Sequence, residues 1–302
     1  MKVIVTGSSG LVGQALLPRL EASGHEVHTL VRRPAVNGHD LQWNPGRASI
    51  PVEKLEGFEG VVHLAGESIA EGRWTADKMN RIRDSRVQGT QLLCEALAGL
   101  EKKPRVLVCA SAIGYYGDRE DEVLGEDAES GRNFLADVCR DWEAACEPAR
   151  AAGIRVVNLR IGVVLSRDGG ALAKMLLPYQ LGLAGKIGSG TQWMSWIELG
   201  DLVSAIVHVL GLETIEGPVN AVSPEAVTGS QYTKALGRVL SRPTVFPMPA
   251  AVARLAFGRM ADELLLASVR VRPNALLMSG FQFEHPELEG ALRHALGRSG
   301  PK

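Results

Sequence analysis

Residues 3–13 of the chain read Val3-Ile4-Val5-Thr6-Gly7-Ser8-Ser9-Gly10-Leu11-Val12-Gly13. A short β-branched run leads into three glycines at three-residue spacing, and apolar residues at helical spacing then continue to Leu20. The segment therefore predicts a strand, a tight turn and a helix. In this arrangement the first glycine permits the turn, the second lets a pyrophosphate approach the backbone, and the third lets the helix pack closely against the strand.

The same alternation of apolar strands and amphipathic helices continues to about residue 165. Further strand patterns occur at residues 27–31, 61–65, 106–110 and 156–160, and further helical patterns at 77–100 and 133–152. Strands that are apolar throughout, separated by amphipathic helices, indicate a parallel sheet covered on both faces. We therefore predict a Rossmann-like, doubly wound α/β domain over residues 1–165.

Residues 166–302 show a looser pattern. Helical segments are predicted near 171–181, 199–212, 228–240, 249–257, 262–271 and 285–297, with glycine- and proline-rich turns between them. We expect a smaller, mixed α/β C-terminal lobe on the substrate side. Residues 218–221 are a candidate strand returning to the main sheet.

The overall composition excludes several classes of protein. The 302 residues carry 33 Lys+Arg and 34 Asp+Glu, and this balance argues against a dedicated nucleic-acid binder. No apolar run reaches the roughly 18 residues of a transmembrane helix, so no membrane association is expected. The four cysteines are scattered, without a C-x-x-C pair or a histidine at ligand spacing. We therefore expect buried thiols, no metal site and a cytoplasmic location.

The end of the second strand predicts which dinucleotide the turn would bind. An NAD site places Asp or Glu there to bond the ribose hydroxyls, whereas this chain has Arg32 and Arg33. A guanidinium can clamp the 2′-phosphate of NADP. We therefore expect NADP(H) rather than NAD, with two solvated arginines as the alternative.

The remaining cofactor contacts are expected at the carboxyl ends of the strands, where ligands bind in such sheets. The glycine turn supplies Gly7, Ser9, Gly10, Leu11, Val12 and Gly13. The strand at 61–65 supplies the backbone of Leu64, Ala65 and Gly66 as the wall on the adenine–ribose side. His63 is expected to be a hydrogen-bonded neighbour of this strand rather than a catalyst.

These motifs together resemble the extended short-chain dehydrogenase/reductase superfamily. The resemblance also rests on Gly89-Thr90-x-Leu92-Leu93, Ser111-x-x-x-Tyr115-Tyr116-Gly117 and Trp196-Ile197-x-x-x-Asp201-Leu202. A closer resemblance, to its epimerase family subgroup of nucleoside-diphosphate-sugar-epimerase type, rests on Ala65-Gly66-Glu67-Ser68-Ile69, Arg140-Asp141-Trp142-Glu143 and Gly188-Ser189-Gly190-x-Gln192-Trp193-Met194-Ser195-Trp196. It covers nearly the whole chain and implies hydride transfer between a nicotinamide cofactor and a small polar or nucleotide-sugar substrate.

The chain departs from the catalytic pattern of that superfamily, which uses a Ser or Thr, a Tyr and a Lys four residues after the Tyr. Anchored on Trp142-Glu143, the tyrosine position falls at Leu135 and the lysine position at Cys139. The hydroxyl position falls at Ala112. A leucine cannot transfer a proton, so the standard mechanism does not carry over unchanged.

Other side chains near this edge are candidate substitutes. We predict Ser111 and Tyr115 as catalytic residues, with Tyr116 and the thiol of Cys139 as weaker candidates. Aromatic packing under the nicotinamide is the alternative for both tyrosines, and helix packing is the alternative for Cys139.

Two further arginines are assigned to the cofactor site. Arg86 takes, by the resemblance, the place of an Asn on the helix that lines the active site, and Arg160 ends the strand at 156–160. An arginine there could bind a phosphate or a substrate anion bidentately. Surface exposure is the alternative for Arg86, and a structural ion pair is the alternative for Arg160.

Two functional hypotheses remain at this point. The intact glycine turn favours an NADP(H)-dependent oxidoreductase or epimerase-like enzyme. The missing Tyr-x-x-x-Lys pair favours a regulatory or sensor protein that binds the cofactor without turnover. The expected partners are a small-molecule substrate and, as one option, a second copy of the chain in a homodimer.

Overall fold

The computed structural model describes residues 1–298, so the last four residues of the predicted C-terminal lobe lie outside the described part. Its central sheet contains β1 (Lys2–Thr6), β2 (Glu26–Val31), β3 (Asp40–Gln42), β4 (Gly60–His63), β5 (Val106–Ala112), β6 (Arg155–Ile161) and β7 (Gly217–Ala221). All neighbours are parallel, in the order β7-β6-β5-β4-β1-β2-β3. The predicted Rossmann-like, doubly wound fold is confirmed.

Helices cover both faces of this sheet. They are α1 (Leu11–Ala22), α2 (Ala76–Ala98), α3 (Phe134–Ala144), α4 (Glu147–Ala151), α5 (Gly170–Gln180), α6 (Leu199–Gly211), α7 (Gly229–Leu240), α8 (Ala250–Phe257), α9 (Asn274–Met278) and α10 (Leu288–Ala295). Helices α1 and α6 share a core with one face of the sheet, and α2, α3 and α4 share a core with the other.

Successive strand residues point to opposite sides of the sheet, so a strand that is apolar throughout supplies apolar side chains to both faces. In β1, Val3 and Val5 belong to the core under α1 and α6, whereas Ile4 belongs to the core under α2. All three side chains are fully buried. The register places the end of β1 between its neighbours, with Thr6 beside Leu30 of β2 and His63 of β4. The carboxyl ends of three strands therefore meet at one edge of the sheet.

The chain after β6 builds a smaller layer and also returns to the sheet. Strand β7 pairs with β6 from Gly217 beside Val157 to Ala221 beside Ile161, which confirms the candidate strand at 218–221. A third core forms among α5, α7 and α10. The domain boundary at residue 165 stays a prediction. Helix α6 and strand β7 pack in the layers built by the first 165 residues.

Local departures from the predicted elements have physical causes. The helix predicted over 133–152 is divided into α3 and α4, because Pro148 has no N–H to donate to the carbonyl of Ala144. Strand β3 was missed because three residues at a sheet edge leave no pattern. The helix predicted over 262–271 is wrong beyond a single π-helical turn, Ala261–Leu265, since Arg270–Val271 pairs with Val123–Leu124.

Within residues 1–298, no helix combines the length and apolar character needed to cross a bilayer. The expected compartment and homodimer stay predictions.

Candidate functional site

The turn between β1 and α1 requires glycine at two positions. Gly7 has φ +69°, and a Cβ there would lie 2.7 Å from the carbonyl carbon of Leu64. A Cβ at Gly13 would overlap the carbonyl oxygen of Gly7. Gly10 is exposed, and the nearest atom to a Cβ there is the Gly7 oxygen at 3.3 Å. The turn is therefore packed on its inner side and open on its outer side.

This open side presents the N-terminus of α1. The helix begins after Gly10 with no side-chain cap and no acidic residue in its first turn. Its first N–H groups are therefore available to a ligand, and the helix dipole favours an anion there. Ser9 is exposed beside them, and Leu11 and Val12 are partly exposed. This arrangement fits the pyrophosphate of a dinucleotide.

The wall opposite the turn is held by a buried network around His63. The Thr6 hydroxyl oxygen accepts hydrogen bonds from the backbone N–H groups of Leu64 and Ala65, at 3.1 and 3.2 Å. Its own proton therefore goes to Nδ1 of His63 at 2.7 Å, which leaves Nε2–H to donate to Thr90 at 3.0 Å. Both ring nitrogens are used, as expected for a structural histidine.

Burial lowers the pKa of His63 to about 4. Because the folded-state value lies below the ordinary value of about 6.5, His63 contributes stability above pH 6.5 that is lost as the pH falls towards 4. We expect the free energy of unfolding to fall by about 2 kcal/mol between pH 7.5 and pH 5. Urea denaturation at both pH values measures it. The His63→Gln variant should lack this loss, and an equal loss in both proteins would contradict the assignment.

The two arginines after β2, Arg32 and Arg33, differ in their partners. Arg33 forms a 2.8 Å ion pair with Asp40, whose pKa is held below its usual range by the Thr29 hydroxyl and also by Arg33. Arg32 is exposed and has neither a hydrogen bond nor an ion pair within residues 1–298. The pKa of Glu67 is held below its usual value by the hydrogen bond from Lys78 and, to a smaller extent, by the charge of Arg32. Only Arg32 is therefore uncommitted, and the expected cofactor role of Arg33 would require its ion pair to break.

Arg86 is partly buried rather than exposed. One terminal nitrogen donates to the carbonyl oxygens of Glu67 and Ile82, both at 3.0 Å. The guanidinium lies over the ring of Trp142 at 5.0 Å and against Gly66, where a Cβ would lie 3.3 Å from Cζ. Burial lowers the pKa of Arg86. Arg86 thus supports the backbone wall at Gly66, and direct binding to a phosphate stays a prediction.

Arg160 is committed to a structural ion pair. It binds Glu143 in a bidentate manner with both N–O distances at 2.9 Å, and its remaining terminal nitrogen donates to the Tyr116 hydroxyl and the Glu126 carbonyl. Burial alone would lower the pKa of Arg160, but Glu143 raises it above the ordinary value. Four of its five N–H groups are used. This corrects the expectation that Arg160 binds the cofactor, since no fork remains for a phosphate.

Ser111 belongs to the same network. Its hydroxyl is buried and donates to Glu143 at 2.7 Å. A hydroxyl has a single proton to donate, so Ser111 cannot at the same time donate to a substrate carbonyl. The predicted catalytic role of Ser111 is corrected to one of orienting Glu143.

Of the two hydroxyls predicted to be catalytic, the one on Tyr115 remains available to a substrate. Its ring lies 3.5 Å from the Arg160 guanidinium carbon and at right angles to the Tyr116 ring. The residue is partly exposed, and its hydroxyl has no hydrogen-bond partner within residues 1–298. Tyr116 differs, because its buried hydroxyl donates to Asn220 at 2.7 Å and burial raises its pKa to about 12.

Leu135 and Cys139, the positions where the superfamily has Tyr and Lys, lie directly against the helical turn Ile113–Tyr116. A Cβ at Gly114 would lie 3.2 Å from the Leu135 Cβ and 3.9 Å from the Cys139 sulfur. Burial raises the pKa of Cys139 to about 12, which disfavours the thiolate and favours the alternative of helix packing. All four cysteines are free and buried, as expected.

Sequence reasoning missed two carboxylates at this site. Glu143 lies one helical turn after Cys139 and binds both Ser111 and Arg160. Its spacing on α3 was the available signal. Glu263 accepts from the N–H of Leu135 at 2.9 Å, and no local pattern could link residues so far apart in the chain.

The chain belongs to the NAD dependent epimerase/dehydratase family, whose model matches residues 3–220. A domain of unknown function, DUF1731, matches residues 248–295. The resemblance to the extended short-chain dehydrogenase/reductase superfamily and its epimerase subgroup is thereby confirmed.

Individual relatives match over nearly the whole chain. An epimerase family protein of Mycobacterium bovis is 42% identical, with 99% of this chain and 98% of the relative covered. The crystal structure of human epimerase family protein SDR39U1 with NADPH has a TM-score of 0.91 at 34% identity, covering 98% and 99% of the two chains. A nucleoside-diphosphate sugar epimerase from Corynebacterium glutamicum has a TM-score of 0.82 at 39% identity, covering 98% of this chain and 58% of that one.

Proposed function

We propose that this protein is an NADP(H)-dependent oxidoreductase or epimerase-like enzyme that acts on a small polar or nucleotide-sugar substrate. The observation that carries the proposal is the turn at residues 7–13, which is sterically restricted to glycine inside and presents an uncapped helix N-terminus outside. The human relative crystallised with NADPH supports the choice of cofactor. The name of the Corynebacterium relative supports the substrate class.

The chain's own groups would move the proton. Bound NADPH supplies a hydride to an electrophilic carbon, so a substrate carbonyl oxygen must gain one proton. Tyr115 can donate it, because its hydroxyl has no other partner within residues 1–298. The Arg160 guanidinium lies 3.5 Å from the centre of the Tyr115 ring, and Glu143 holds that guanidinium in place. In this proposal Arg160 positions the Tyr115 ring for the proton transfer.

Arg32→Ala tests the cofactor preference. A charge-assisted hydrogen bond contributes about 1.5–3 kcal/mol, so we expect NADPH binding to weaken by roughly 10- to 100-fold and NADH binding to change little. Fluorescence titration of the purified protein with each dinucleotide measures both affinities. Arg33→Ala is the matched control and should leave both nearly unchanged, because Arg33 is paired with Asp40. An equal loss for NADPH and NADH in Arg32→Ala would refute the 2′-phosphate contact.

A binding protein without turnover is the second candidate. It is favoured by Leu135 and Cys139, which leave α3 without a proton donor where the superfamily has one. The wild-type protein with NADPH, and separately with NADP⁺, can be incubated with carbonyl compounds and sugar nucleotides while nicotinamide absorbance and substrate isomers are followed. Turnover supports the enzyme. Tight NADPH binding with no reaction across the panel supports the second candidate.

A further inference from the structure

Three side chains that are able to bind a metal ion, none of them among the cofactor residues, converge near the start of α6. Glu198 immediately precedes α6, His285 lies in the segment before α10, and His294 lies in the last turn of α10. One ligand atom from each lies within 4.8 Å of the others. The His294 Nδ1 is 3.3 Å from the Glu198 Oε1, and the two imidazole rings stack with centroids 4.0 Å apart.

The carboxylate of Glu198 is buried, with only 5% of its side chain exposed. Its Oε2 accepts from the N–H groups of Gly200 and Asp201 at the N-terminus of α6. Its Oε1 has His294 as its partner and, within residues 1–298, no lysine or arginine. This buried carboxylate oxygen therefore faces the His294 ring, against which the His285 ring is stacked.

A second buried carboxylate increases the local negative charge. Asp201 is 1% exposed and accepts from the N–H groups of Glu284 and His285, at 2.7 and 3.0 Å. In the described part of the chain it also has no lysine or arginine partner. The dipole of α6 offsets part of this charge, but burying carboxylates without a cation is costly. A bound divalent cation would compensate the negative charges of Glu198 and Asp201.

We propose that Glu198, His285 and His294 bind a divalent cation of the zinc class, with water completing the coordination. Two imidazoles and a carboxylate are a ligand set that zinc accepts with one position open, whereas Mg²⁺ and Ca²⁺ prefer oxygen alone. Zinc–ligand distances of about 2.0–2.2 Å require the ligand atoms to approach one another. His294, 55% exposed, can rotate out of the ring stack to do this.

The ion would join parts of the chain that the sequence separates widely. It would fix α10, which closes the segment matched by DUF1731, to the first turn of α6, which covers the main sheet. Because a ligand of the folded state stabilises it by mass action, zinc should raise the midpoint of thermal unfolding.

Metal titrations of the full chain test the site. After chelator treatment and desalting, isothermal titration with Zn²⁺ should give one ion per chain, and Co²⁺ should give visible absorption of a four- or five-coordinate site. The double variant His285→Gln/His294→Gln should lower the Zn²⁺ affinity at least about 100-fold and abolish the thermal shift. Mg²⁺ should give no binding heat at the same concentrations.

A matched control exists beside strands β2 and β3. His28 and His39 also have neighbouring rings, 4.8 Å apart, and His28 pairs with Glu26, but Glu26 is 57% exposed. The double variant His28→Gln/His39→Gln should leave Zn²⁺ affinity unchanged. The single variant His294→Gln, at an exposed position, provides the same test if the first double variant fails to fold. Equal Zn²⁺ affinity in wild type and His294→Gln, or no binding by wild type, would overturn the proposal.

Discussion

Replacing Arg160 with methionine is expected to lower the free energy of unfolding by about 3–5 kcal/mol. Methionine fills much of the same space but leaves the Glu143 carboxylate buried with only Ser111 as a side-chain partner. It also removes a donor from the Tyr116 hydroxyl and the Glu126 carbonyl. Since a domain is stable by only about 5–15 kcal/mol, chemical denaturation should resolve the loss easily.

Two further variants separate the buried charge from other causes. The double variant Arg160→Met/Glu143→Leu should recover a large part of the loss, because replacing both members of a buried ion pair by apolar residues is often neutral. Arg238→Met breaks the exposed pair with Glu289 and should cost about 1 kcal/mol or less. A similar loss of unfolding free energy in Arg160→Met and Arg238→Met would mean that the buried pair contributes no more to stability than the exposed pair.

Tyr115→Phe is expected to lower turnover by about 10²- to 10⁴-fold if the protein is the proposed enzyme, because it removes the proton donor and keeps the ring on Arg160. NADPH affinity should stay within about two-fold of wild type, since the hydroxyl is not assigned to the cofactor. The measurement is the steady-state rate with any substrate found active in the panel.

Tyr116→Phe is the matched control for Tyr115→Phe. It removes the neighbouring hydroxyl, which is buried between Asn220 and Arg160, and should cost stability without a comparable loss of rate. Unchanged turnover in Tyr115→Phe would show that a water molecule or another side chain supplies the proton.

The phosphate-binding turn could be predicted because its determinants are local. Gly7, Gly10 and Gly13 lie in one strand–turn–helix unit, and the steric reasons for glycine at the first and third positions act between close neighbours or an adjacent strand. The central sheet could be predicted for a similar reason, since buried parallel strands are apolar on both faces.

The roles of the polar residues at the sheet edge could not be predicted in the same way. A sequence shows that Arg160 ends a strand, but not that Glu143 projects from α3 to meet it. The choice between Arg32 and Arg33 likewise depends on Asp40, which lies on an edge strand too short to be recognised. These assignments depend on which carboxylate lies next to each arginine in the folded chain, and tertiary packing decides that.

The return of β7 to the sheet governs how this protein could be divided by engineering. A fragment ending at residue 165 would lack α6 as well as β7, and would expose the sheet face on which Leu202, Ile206 and Val209 pack. Asn220 of β7 also holds the Tyr116 hydroxyl next to the candidate proton donor. The main sheet and its core thus combine segments more than two hundred residues apart, and we expect a minimal autonomous fragment to extend at least through residue 221.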